Sequence, residues 1–151
     1  MNDIPGKIIG ILLAFVLCVI MPFINVVVED EMVNRRLITE DIADFIDSIT
    51  DGRVMSTADV KAFEAKLASY GILLDYDVTR YARTVNPDPL NSDSNYYVTY
   101  VEMTDNEHYN KGDKVSVHVY QVSSSGTETL ARKLSGLFIR DFDVTITARV
   151  R

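Results

Sequence analysis

The residue types most able to do chemistry are sparse and poorly spaced for it. The two histidines, His108 and His118, stand ten residues apart, and the one cysteine, Cys18, lies far from both in sequence. A zinc site would have to lean on carboxylates, with no Cys/His spacing to mark it. The pattern predicts His108 in a loop and His118 on a solvent-facing strand position. Asp88, Asn91, Asp93 and Asn95 offer calcium-type oxygen ligands but lack the spacing and closing glutamate of an EF-hand loop. Asp75 and Asp77 share one face of a strand, and a catalytic dyad needs a cleft that raises one pKa. There is no glycine-rich phosphate loop and no serine in a nucleophile-elbow pattern. These residues therefore predict no metal, no cofactor and no enzyme. Tyr81, Tyr96, Tyr97, Tyr100 and Tyr109 suggest an interface instead, because tyrosine is favoured where proteins meet.

The elements that must position these residues begin with residues 8–28, IIGILLAFVLCVIMPFINVVV, which carry no charge between Lys7 and Glu29. A helix rises about 1.5 Å per residue and needs roughly 20 apolar residues to cross the hydrocarbon core, so this run predicts a transmembrane span. Its end has no Ala-x-Ala-like cleavage site, and Leu17 before Cys18 is too large for a lipoprotein signal, which predicts a retained anchor. Gly6, Gly10, Ala14 and Cys18 recur every four residues, a ridge on which another helix can pack closely in lipid. Pro22 lacks an amide proton and predicts a disturbance in the helix.

Residues 29–51 contain no glycine or proline, so the helix is free to continue past an exposed neck at 29–37. Ile38, Ile42, Phe45, Ile46 and Ile49 then fall on one stripe, with Glu40, Asp41, Asp44, Asp47 and Asp51 opposite; Gly52 is the expected stop. A second helix opens at Ser56 or Thr57, with Val60, Phe63, Leu67 and Tyr70 on one face, and ends at Gly71. Alternation predicts strands at 72–82, 96–103, 114–122 and 142–150, a polar loop at 86–95, and a short helix at 129–137. One apolar face of four strands would cover the stripe and the second helix. The expected fold is α+β: a long N-terminal transmembrane helix continuing into an amphipathic helix packed on a roughly four-stranded antiparallel sheet.

Three parts follow: a cytoplasmic head at 1–7, the span at 8–28 and an extracytoplasmic α+β domain at 29–151. That domain holds 14 basic and 21 acidic residues, and the whole chain has a net charge of -7. A surface of that sign repels phosphate backbones and argues against nucleic acid as a partner. The expected partners are the lipid bilayer and other helices, in a homo- or hetero-oligomer formed through the span. The six residues before Lys7 are easily retained, which favours a cytoplasmic N-terminus, although Arg35 and Arg36 leave the positive-inside balance open.

The span with Pro22, Gly112-Asp113 followed by Val115, Val117 and Val119, and the closing Val-Thr-Ile-Thr-Ala-Arg-Val-Arg151 resemble the type IV pilins and pseudopilins, in particular the TadE-like branch. The resemblance implies a pilin-like fold and assembly into a surface filament, secretion or conjugation-type apparatus. Prepilins carry glutamate at the fifth position after cleavage, whereas cutting here after Gly6 or Gly10 would put Ile11 or Phe15 there. The resemblance thus implies an uncleaved minor subunit. The competing expectation is a membrane-tethered binding or sensing module that works as a monomer.

Overall fold

The structure is a computed structural model that describes residues 4–88, 96–104, 108–123 and 141–151. The chain divides into two compact units, and among the described residues the boundary falls within its long helix, between Arg36 and Leu37.

In the first unit, α1 (Ile4–Phe15) leads through a π turn (Val16–Ile20) into α2 (Met21–Gly52), and no residue of α1 is buried. From Ile4 to Gly52 the chain is helical, the one helix among the described residues long and apolar enough to cross a membrane. The π turn has an identifiable cause. Pro22 has no N–H for the Cys18 carbonyl and its ring crowds that oxygen, so the turn before it widens, and the Met21 N–H bonds five residues back to Val16. In the neck, Arg35 Nε and Nη2 donate to Glu31 Oε1 at 2.9 and 2.7 Å, one helical turn apart.

The second unit is built on the other end of α2. Ile38, Ile42, Ile46 and Ile49 are at most 1% exposed and Phe45 only 6%, so the predicted stripe is the centre of the core. α3 (Thr57–Ser69) starts at Ser56, whose Oγ accepts the Asp59 N–H at 3.1 Å and donates to Asp59 Oδ2 at 2.6 Å. Gly71 follows with φ of 69°, the left-handed turn that ends the helix. Phe63 of α3 stacks on Phe45 of α2 with centroids 4.2 Å apart, and Tyr76 meets both rings edge-on.

The sheet is antiparallel in the order β2-β1-β3-β4, formed by β1 (Leu73–Pro87), β2 (Tyr96–Met103), β3 (Lys114–Ser123) and β4 (Asp143–Arg149). Its inner face is made of cross-strand rows: Tyr76, Val119 and Val144; Val78, Val117 and Ile146; Arg80, Val115 and Ala148. All but Arg80 are apolar, and they close over the α2 stripe, Phe63 and Leu67.

Three expectations change. The strand expected at 72–82 runs on to Pro87, taking in the start of the expected loop, because β2 pairs with it from Arg80 to Pro87. The apolar cover comes from three strands rather than four, since β2 has no buried residue. α2 stops at Gly52 as expected, but the left-handed position falls on Arg53 with φ of 56°. That conformation is held by hydrogen bonds: Arg53 N–H to the Ile49 carbonyl at 2.8 Å, Tyr109 N–H to the Arg53 carbonyl at 3.0 Å and Arg53 Nε to the Arg151 carbonyl at 2.9 Å. Tyr109, expected at an exposed interface, is 4% exposed and belongs to the core. The expected helix at 129–137 and the candidate calcium ligands Asn91, Asp93 and Asn95 lie outside the described residues.

Candidate functional site

The alternation Leu74, Tyr76, Val78 continues by one step to Arg80 and so carries a guanidinium onto the apolar face. Its side chain is 7% exposed, and it meets Asp113, which is 3% exposed. Arg80 Nε and Nη2 donate to Asp113 Oδ2 at 3.0 and 2.9 Å, the Asn110 N–H reaches the same oxygen at 3.0 Å, and the Arg83 N–H reaches Oδ1 at 2.9 Å. Burial pushes the Asp113 carboxyl upward, but the amides of Arg83 and Asn110 together with Arg80 outweigh it and hold it below the usual carboxylate range. A buried charge is tolerable only with this degree of pairing. The Asp113 carbonyl also accepts the Val150 N–H at 2.8 Å and Gly112 N–H donates to the Val150 carbonyl at 3.0 Å, so the pair fastens β1 and the 109–113 turn to the residue after β4. Gly112 has φ of 96°, open to glycine and costly for other residues.

The outer face of the sheet is polar and wet. Asp75 Oδ2 accepts the Tyr120 hydroxyl at 3.2 Å, and His118 Nε2 lies 2.9 Å from Asp143 Oδ1. Asp77 is the cross-strand partner of His118 and is exposed. Asp75, Asp77 and His118 thus share a face, as their spacing predicts, and all three side chains lie at the surface of the sheet. Among the described residues no group of histidine, cysteine and carboxylates is arranged to hold a metal. His108 is exposed and bridges Val54 through the backbone.

A groove of about 130 Å³ separates α2 from α3, lined by Asp41, Asp44, Phe45, Asp59, Phe63 and Lys66 among others. Lys66 Nζ donates to Asp41 Oδ1 at 2.7 Å and the Tyr70 hydroxyl to Asp41 Oδ2 at 2.6 Å. Partial burial works to raise the Asp41 pKa, yet the hydrogen bonds from Lys66 and Tyr70 leave it lowered. Burial and the bond to Asp41 push Tyr70 up to about 12, and burial and the bond to Glu64 do the same for Tyr76.

The residues expected to act by contact fall in three places. Gly6, Gly10 and Ala14 lie exposed on α1, and a side chain added at either glycine would meet nothing within 4 Å. Cys18 is exposed but lies within the π turn, where four-residue stacking is interrupted. Tyr96 and Tyr97 are exposed on the edge strand β2, together with Val98, Val101 and Met103, while the Tyr100 ring lies under Lys114 Nζ at 4.1 Å. The Arg80–Asp113 pair is nearly silent in the sequence. Its one sequence signal is the cation on the buried register of β1. Comparison with protein families, with curated proteins and with solved structures gives no match to this chain.

Proposed function

We propose that this protein is a membrane-anchored, pilin-like subunit, similar in kind to the TadE-like minor pseudopilins, that acts by assembling with like or related subunits of a surface filament, secretion or conjugation-type apparatus. The observation that carries this reading is the helix Ile4–Gly52, apolar and largely exposed in its first half and the centre of an α+β core in its second. Exposed apolar surface of that extent needs lipid or another helix against it. The ridge Gly6, Gly10, Ala14 offers close approach to such a helix. In this reading the N-terminus is cytoplasmic and the head lies outside.

The test uses the full chain in native membranes. Crosslinking through Cys18 should yield a dimer band that falls at least several-fold in Gly10→Leu. A chain that stays monomeric at every expression level would overturn assembly and favour a tethered binding module. Protease added to sealed vesicles of known sidedness reports whether the head is external.

A further inference from the structure

Three cations gather at one corner of the outer sheet face. Arg83 is on β1, Lys114 on β3 and Arg149 on β4, with Lys114 paired to Arg149 on one side and to Tyr81 on the other. A methyl group on Gly112 would lie 3.4 Å from Arg83 Nη1 and 3.5 Å from Arg149 Nη2, so these two guanidinium nitrogens are within about 7 Å of each other. The Lys114 ammonium stands over Tyr100, the cross-strand partner of Arg83. Among the described residues none of the three cations joins an ion pair, whereas Arg35, Lys66, Arg80 and Arg151 all do. Bringing unpaired like charges together is unfavourable until an anion arrives.

The matching surface is on the same head. Glu40 and Asp44 are exposed one helical turn apart on α2, Asp44 lining the α2–α3 groove, and both are without an ion-pair partner among the described residues. Their i,i+4 spacing sets the side chains roughly 5–6 Å apart, comparable to the separation of the two guanidinium groups. Asp59 adds a further carboxylate, the one cation in the groove, Lys66, is committed to Asp41, and the stacked Phe45 and Phe63 rings give the groove an apolar lining. In a chain of net charge -7 a phosphate-rich partner meets repulsion from most of the surface, while every further copy of the chain supplies this carboxylate pair.

We propose that the Arg83–Lys114–Arg149 corner of one copy docks on the Glu40–Asp44 rim of a second copy. The contact is heterologous, so it repeats from copy to copy instead of closing a two-fold dimer. It rests on the reading of this protein as an assembling subunit and supplies that reading with a contact between heads.

The test uses the full chain in detergent at low salt, with isotopically labelled and unlabelled copies mixed. A zero-length amine-to-carboxylate crosslinker should join Lys114 of one copy to Glu40 or Asp44 of another. Arg83→Glu with Arg149→Glu should lower that crosslink at least tenfold when alone, and Glu40→Lys with Asp44→Lys, which also removes the reacting carboxylates, should abolish it. An equimolar mixture of the two variants should restore it between unlike copies. Arg83→Gln with Arg149→Gln, milder for folding, should weaken it several-fold, as should half-molar salt in the unmodified protein. If the head crosslink is absent while the Cys18 dimer persists, head docking is wrong and assembly through the span stands. If both are absent, both fall. If the arginine variants leave the crosslink intact but lose binding to anionic lipid vesicles, the corner serves headgroups and the proposal is overturned.

Discussion

The Asp113 carboxylate accepts from the Arg80 guanidinium and from the amides of Arg83 and Asn110. Replacing Asp113 by alanine leaves the Arg80 guanidinium buried without its carboxylate and two backbone amides without their acceptor. Breaking a buried pair from one side costs about 3–5 kcal/mol, so Asp113→Ala should lower stability by that amount in denaturant titration of the full chain in detergent. Changing Arg80 to methionine as well should recover part of the loss. The pKa of Asp113 is lowered on folding, so its stabilisation is complete above the unfolded carboxylate range near 4 and is lost as pH falls through the lower folded value. The tyrosines behave in the opposite sense. Tyr70 and Tyr76 are raised from 10 to about 12, so their contribution is complete below pH 10 and lost as pH rises through about 12. Absorbance titration at the tyrosinate band should therefore show a late phase near pH 12 from these two, with unfolding accompanying it. Arg80 and Tyr109 were the hardest residues to place from sequence. A cation on a buried register makes sense only once a carboxylate 33 residues away is known to meet it, and a loop tyrosine becomes core only through chain neighbours that no local period encodes.

Elements with a strong period were legible. The five apolar residues from Ile38 to Ile49 repeat at helical spacing, and β3 and β4 alternate cleanly, so their buried faces follow from sequence alone. β1 was read short because its outer half carries Arg80, Arg83 and Asn86, whose place in a strand is set by pairing with β2. The left-handed position after α2 falls one residue past Gly52 for a related reason. Glycine is the usual left-handed residue, but the hydrogen bonds to Ile49, Tyr109 and Arg151 fix that conformation at Arg53. Arg53→Gly should relieve about 1 kcal/mol of backbone strain and lose one exposed side-chain hydrogen bond of similar worth, leaving the melting temperature nearly unchanged. Phe63→Ala should be far more damaging, about 3–5 kcal/mol in the same measurement, since it removes the ring that joins α2, α3 and β1.

For the molecule as a whole, charge and hydropathy divide along the chain: the long apolar run ends at Val28, and all charged side chains but Asp3 and Lys7 lie beyond it. Leu17→Arg, near the middle of that run, should cost about 2.5–3.5 kcal/mol of insertion and shift the chain into the carbonate-soluble fraction of membranes. Within the head, α2 is joined to the sheet by the side chains from Ile38 to Ile49, while the residue that follows it is tied by hydrogen bonds to Tyr109 and to Arg151. The helix is thus gripped twice, by a greasy stripe indifferent to small rotations and by a polar clasp at Arg53 that is not, so the clasp sets the angle at which the stripe seats in the sheet.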